Sequence, residues 1–129
     1  MEEIESYGLP EDPDDDDDEE ELLIVKKITD MMEYAYLALA QFPRSEKNGI
    51  VIDIKHCIDR LLERAIEANK KYYKKTTLQD MDVELAKLKK YIRLSYRLKF
   101  LPFKKYKNWT EKTKEIGRML GGWIKSTKR

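Results

Sequence analysis

Three basic residues recur every four positions in the second half of the chain: Lys89, Arg93 and Arg97. On an α-helix this spacing places them on one face, with Lys90 about 100° further around the axis. A row of cations attracts the phosphates of a nucleic-acid backbone. The spacing therefore predicts polyanion binding. The alternative is an ordinary solvated face, which charge runs on helices usually form.

Further lysines, interleaved with tyrosines, flank this stripe. From residue 70 to residue 129 there are 19 Lys or Arg and 5 acidic residues, and the runs NKKYYKK and FKKYK mix both residue types. Cations bind phosphates and aromatic rings stack on bases, so this mixture suits nucleic acid. The additional predicted contacts are Lys70, Lys71, Lys74, Lys75, Lys104, Lys105 and Lys107.

His56 has Asp53 three residues before it and Asp59 three residues after it, which raises the question of a metal site. In di-iron bundles the corresponding motif is Glu-x-x-His, it occurs twice, and two further glutamates join it. This chain has one histidine and one cysteine, Cys57. We therefore expect no metal and no other cofactor, with Cys57 buried as a small hydrophobe and His56 on the helix surface.

Other function classes find no support in the residues. The chain offers neither a Ser-His-Asp combination nor a glycine-rich phosphate loop, so no catalytic residues are predicted and we expect no enzyme. A single cysteine allows no intrachain disulfide. No apolar run approaches the roughly 20 residues that cross a bilayer, and the acidic start is unlike a signal peptide, so we expect a cytoplasmic protein without a membrane partner.

The acidic residues concentrate at the front of the chain. Residues 1–21 hold 13 of the 25 acidic residues and none of the 26 basic ones, so the net charge of +1 conceals a body, residues 22–129, with a net charge of +14. We expect residues 1–20 to be a disordered tail, because they are too acidic and too poor in apolar groups to pack. Two roles remain open for this tail: weak competition with nucleic acid for the basic face, or solubility.

Apolar residues at three- and four-residue spacing predict four helices, at about residues 21–41, 46–73, 78–99 and 109–125. Ser45 is an N-cap candidate for the second helix, and the stretch from Thr77 to Asp80 resembles a capping box for the third. Short links between four helices favour an all-α fold, an antiparallel four-helix bundle in one domain, residues 21–129.

The last predicted helix contains Gly117, Gly121 and Gly122, and each costs the helix roughly 1 kcal/mol relative to alanine. Gly117 and Gly121 share one face, where the absence of side chains allows another helix to approach closely. Because apolar residues such as Trp123 surround them, we favour close packing, within the bundle or between subunits, over a frayed end.

Three segments resemble the Avd family, the accessory variability determinants of diversity-generating retroelements: YLALAQFPRSEKNGI, ELAKLKKYIRLSYRLKFL and EIGRMLGGWIKS. The last segment is the most specific. The first is shared with the 23S rRNA intervening-sequence proteins, which belong to the same wider set of bacterial four-helix-bundle proteins. Where the Avd pattern has its first helix-three arginine, this chain has Lys89, which keeps the charge but not the bidentate geometry.

The resemblance implies a four-helix protomer that assembles into a basic, pentameric barrel. It also implies a non-enzymatic protein that binds the reverse transcriptase of the element and its template RNA or cDNA, and that supports mutagenic cDNA synthesis. The alternative is a structural interaction protein whose basic face docks on an acidic protein partner, related to the intervening-sequence proteins of unknown role.

Overall fold

The computed structural model describes residues 22–127, so the predicted tail lies outside the described residues. Four helices form this part of the chain, and the prediction of an all-α four-helix bundle is confirmed. The elements are α1 (Leu23–Leu39), a short 3-10 turn (Arg44–Glu46), α2 (Ile50–Lys70), α3 (Lys75–Arg97) and α4 (Phe103–Ser126). Among the described residues no helix is long and apolar enough to span a bilayer.

Each helix packs against its neighbours along the chain, and α4 closes the ring against α1. Contacts between α3 and α4 show the antiparallel course: Tyr96, late in α3, stacks on Tyr106, early in α4. Leu85, near the middle of α3, lies instead beside Gly117, late in α4. The contact between α3 and α4 therefore extends from the turn that joins them to the second half of α4.

A continuous apolar core fills the centre of the bundle. Trp109 is its largest fully buried side chain, and its indole N–H donates a hydrogen bond to Met31 Sδ at 3.3 Å. Burying an indole requires a partner for this N–H, which the thioether supplies. The predicted apolar positions of α2 and α3 line the same core, including Ile54, Leu61 and Leu88. Hydrophobic burial at these positions orients each helix about its axis.

The start of α2 differs from the prediction that Ser45 caps it. After Pro43 the chain forms the 3-10 turn, whose backbone bonds run from Glu46 N–H to Pro43 O (2.9 Å) and from Gly49 N–H to Glu46 O (3.0 Å). Ser45 Oγ bonds to the Glu46 carboxylate at 3.3 Å, and α2 begins only at Ile50. The cap prediction is wrong because the turn satisfies its own backbone groups before the helix begins.

The starts of α3 and α4 also lie earlier than expected. Thr77 is a buried residue inside the first turn of α3, which begins at Lys75, so the predicted capping box does not form. Helix α4 begins at Phe103, directly after Pro102, rather than near residue 109. The run FKKYK forms its first turn and a half, in keeping with the good helix propensity of lysine.

The turn between α3 and α4 holds its shape through a left-handed residue. Lys99 has φ of 68°, and the bonds from Lys99 N–H to Tyr96 O and from Phe100 N–H to Ser95 O, both 2.9 Å, form a Schellman motif. Phe100 then packs on the buried Phe42 ring at 5.8 Å. This motif reverses the chain within a few residues and brings the two helices side by side.

The glycines of α4 differ in their surroundings. A Cβ at Gly117 would lie 3.4 Å from Lys89 Nζ and 3.5 Å from Leu85 Cδ2, which are ordinary contact distances to side chains of α3. A Cβ at Gly121 or Gly122 would meet no described atom within 4 Å. Trp123 is partly buried and packs on the core. Gly117 and Trp123 thus lie against the rest of the bundle. Close helix packing at Gly117 and Gly121 stays a prediction.

Candidate nucleic-acid interface

A shallow depression separates the outward sides of α3 and α4, and we call it the α3–α4 groove. Its two adjoining hollows measure about 300 Å³ and 350 Å³. The lining residues from α3 are Asp82, Leu85, Ala86, Lys89, Lys90, Ile92 and Arg93, and those from α4 are Tyr106, Thr110, Thr113, Lys114, Gly117 and Arg118. The groove thus has a floor of small and apolar groups and walls of long cations.

Helix α3 supplies the first wall, because the four-residue spacing of its cations matches the helix period. Lys89, Arg93 and Arg97 are all exposed, and Lys90 is exposed beside them. Arg97 lies one turn beyond the lined hollow, at the end where α3 terminates. The sequence prediction of a single basic stripe on α3 agrees with this placement, while its binding role stays a prediction.

Helix α4 supplies the second wall through Lys114 and Arg118, which the sequence analysis missed. Both are exposed and line the groove opposite Lys89. Lys107 lies seven residues before Lys114 and therefore on the same side of α4. The spacing of seven and then four residues was the available signal, but its meaning depends on which side of α4 meets α3.

The groove cations have no acidic partners among the described residues. The salt bridges within residues 22–127 involve Lys27, Arg60, Arg64 and Lys71, none of which lines the groove. Asp82 is the one acidic residue among the described residues that line it. Because like charges crowd this face and Asp82 is the one carboxylate beside them within residues 22–127, the described part of the groove has a positive potential that extends over roughly 8 to 10 Å at physiological salt.

Lys104 and Lys105, predicted to widen the same surface, lie elsewhere. They line an open crevice of about 860 Å³ between α1 and α4. The same crevice has four acidic residues: Asp30, Glu33, Glu111 and Glu115. Its charges are mixed. Lys104 and Lys105 line this crevice and not the α3–α4 groove, whereas Arg118 borders both.

The lysines of the α2–α3 connection divide into two pairs. Lys71 binds the Glu67 carboxylate at 2.9 Å, and this hydrogen bond lowers the pKa of Glu67. Lys74 donates to the carbonyl oxygens of Ala68, at 2.7 Å, and of Lys71. These two cations close the C-terminal end of α2, where free carbonyls accumulate. Lys70 and Lys75 are exposed beside them.

Cys57 and His56 lie where the sequence predicted them. Cys57 is fully buried, and its thiol donates to the backbone oxygen of Glu84 at 3.2 Å. Burial, with the Glu84 hydrogen bond next, raises the pKa of this thiol to about 12. His56 is exposed on α2, and no group of three His, Cys, Asp or Glu side chains within residues 22–127 is arranged to hold a metal.

No curated protein matches the chain. The family model described as bAvd-like matches residues 22–127, which include all four helices and the α3–α4 groove. The chain therefore belongs to the bAvd-like family, which confirms the resemblance to the Avd family.

Proposed function

We propose that this protein is a non-enzymatic accessory protein of a diversity-generating retroelement. It binds template RNA or cDNA in the α3–α4 groove and holds it near the reverse transcriptase in the cytoplasm, which supports mutagenic cDNA synthesis. The observation that supports this proposal best is the groove itself, whose exposed cations on both walls form no salt bridge within residues 22–127. Membership in the bAvd-like family supports the retroelement context.

The groove would bind nucleic acid chiefly through phosphates. Cations four residues apart on α3 are about 6 Å apart along the helix axis, so consecutive side chains can follow a phosphate backbone. Lys114 and Arg118 reach toward the same groove from α4. Each contact would release condensed counterions, so the affinity should fall steeply as salt concentration rises.

Assembly into a homopentamer is part of the proposal. The outward side of α1 presents a hollow of about 410 Å³ lined by Met32, Tyr36 and Leu37, with Thr29 and Glu33. Apolar groups on an outward helix face gain free energy when another surface covers them. Light scattering on the purified chain tests this part, and a monomer at micromolar concentration would exclude the barrel.

The groove assignment is tested by RNA binding against salt for the full chain and for the double variant Arg93→Glu/Arg97→Glu. We expect affinity to fall more than about tenfold at ~0.1 M salt, with a shallower salt dependence, because two phosphate contacts are lost. Lys26→Glu/Arg44→Glu makes the same charge change at exposed residues outside the groove and serves as the control. Equal losses of RNA affinity in the two double variants would contradict the assignment of the binding site to the groove.

The role of residues 1–20 is tested in the same assay with a chain that begins at Glu21. Tighter RNA binding by the shortened chain, with a steep salt slope, would assign the acidic segment a competing role. Unchanged RNA binding, with poorer solubility of the shortened chain, would assign it the solubility role. If neither form binds RNA at low salt, the nucleic-acid proposal fails and acidic proteins become the partners to test.

A further inference from the structure

Three aromatic rings lie together where α3 ends and α4 begins. Tyr96 and Tyr106 stack at a centroid distance of 4.4 Å with an interplanar angle of 7°. The Phe103 ring lies 6.0 Å from Tyr96 and 6.4 Å from Tyr106, tilted against both. Phe103 is 60% exposed, so the cluster presents an aromatic surface to solvent.

Packing of the turn does not account for this exposed ring. The turn is already anchored in the core by Phe100 and Leu101, and Phe100 packs on the buried Phe42. Phe103 contacts the two tyrosines but leaves most of its surface in water. An exposed phenylalanine contributes little to folding, so another role for this residue fits its position better.

In the chain segment that contains the three rings, every charged residue is basic. Residues 85–110 contain nine Lys or Arg and no Asp or Glu. Tyr106 lines the α3–α4 groove together with Arg93 and Lys90. The aromatic surface is therefore continuous with the groove, at the end where Arg97 lies.

We propose that Phe103, backed by the Tyr96–Tyr106 stack, is a base-stacking subsite at this end of the groove. The ligand is accordingly a nucleic acid with unpaired bases at this point, a single strand rather than a duplex. A duplex keeps its bases stacked inside, whereas an unpaired base can lie on an exposed ring while its phosphates contact the groove cations. This inference rests on the proposed function and specifies the substrate class of the same site.

A second exposed aromatic pair provides a control. Tyr72 and Tyr73, 87% and 85% exposed, lie in the α2–α3 connection with ring centroids 4.8 Å apart. The neighbouring Lys71 and Lys74 are bonded within the protein, and neither tyrosine lines the groove. A change at Tyr73 thus alters aromatic exposure without altering the proposed subsite.

The experiment compares wild type, Phe103→Leu, Phe103→Trp and Tyr73→Leu. Binding of a labelled oligoadenylate and of an RNA duplex of equal length is measured across a salt series. For Phe103→Leu we expect at least about fivefold weaker binding of the single strand at every salt concentration, with an unchanged salt slope and unchanged duplex binding. Phe103→Trp should retain wild-type affinity, and Tyr73→Leu should leave all values unchanged.

An abasic oligomer with the same number of phosphates tests the inference on the unaltered protein. Wild type should bind the abasic oligomer more weakly than oligoadenylate, by the factor expected for Phe103→Leu. The Phe103→Leu substitution should not weaken binding of the abasic oligomer further. Equal affinities for the abasic oligomer and oligoadenylate, or equal losses in Phe103→Leu and Tyr73→Leu, would overturn the stacking subsite and leave the groove standing. Loss of every nucleic-acid complex in wild type would instead overturn the proposed function and this inference together.

Discussion

The contact of α3 with α2 and its contact with α4 differ in whether the cations there have carboxylate partners. Toward α2, Arg60 binds Glu84 at 3.1 Å, and Arg64 lies 4.0 Å from Asp80. Here the acidic residues belong to α3, and the cations come from its neighbour. Toward α4, Lys89 and its neighbours on α3 face the cations of α4 across the groove. One contact neutralises charge and the other accumulates it.

This contrast separates structural cations from available ones. A cation with a carboxylate partner contributes modestly to stability when exposed and has little net charge left to offer a ligand. A cation without a partner repels its neighbours and gains most when a polyanion arrives. The count of lysines and arginines in a segment does not distinguish these cases, but the residue across the helix contact does.

The strongest test of the contrast removes a Lys and an Arg without carboxylate partners within residues 22–127 from the groove, and a Lys and an Arg with such partners from α2 and its C-terminal end. For Lys89→Ala/Arg93→Ala we expect RNA affinity to fall on the order of 20-fold at ~0.1 M salt, because two phosphate contacts disappear. For the matched variant Arg60→Ala/Lys71→Ala we expect less than about a threefold change, because these cations already bind Glu84 and Glu67. Similar affinities of the two variants would abolish the distinction.

Stability should show the reverse order. Arg60→Ala should lower the free energy of unfolding by about 1 kcal/mol, because the Glu84 side chain, 19% exposed, loses its charged partner. Lys89→Ala should leave it nearly unchanged. Urea denaturation measures both, and the double variant Arg60→Ala/Glu84→Gln should recover part of the loss. An equal loss in Lys89→Ala would contradict this assignment.

The smallest expected effect concerns the part of α4 that follows Gly117. Gly121→Ala and Gly122→Ala should each raise the free energy of unfolding by about 0.5 kcal/mol in an isolated protomer, because alanine favours the helix and no described atom obstructs its Cβ. If the Gly121 face packs against another copy, only Gly121→Ala should reduce the mass measured by light scattering. Unchanged mass in both variants would remove Gly121 from the subunit contact.

The spacing of apolar residues was enough to predict the four helices, because each helix is stabilised by burial of one apolar face in the core. Their starts were not predictable by cap residues alone. Ser45 lost its capping role to backbone bonds of the 3-10 turn, and Thr77 became a buried first-turn residue. Where a helix begins depends on which of its first backbone N–H groups already have hydrogen-bond partners. Those partners come from the conformation of the preceding turn, which cap residues alone do not specify.

The candidate site was predictable on α3 and incomplete on α4. The stripe through Arg93 follows from helix period alone. The opposite wall, Lys114 and Arg118, requires knowing which side of α4 meets α3. Lys74 shows the opposite case, a lysine predicted to bind nucleic acid that donates to main-chain oxygens at the end of α2. Residue spacing does not indicate these hydrogen bonds.

The buried thiol described above has a practical consequence for watching this molecule at work. Cys57 is the only cysteine, and its neutral form contributes stability that is present below pH 9 and lost as pH rises toward about 12. Near pH 8 it stays protonated and shielded, so alkylating dyes should pass it by. Arg97→Cys, next in the chain to Tyr96, would then add a single reactive thiol at this end of the groove, and a fluorophore there could report the arrival of a strand without removal of the native cysteine.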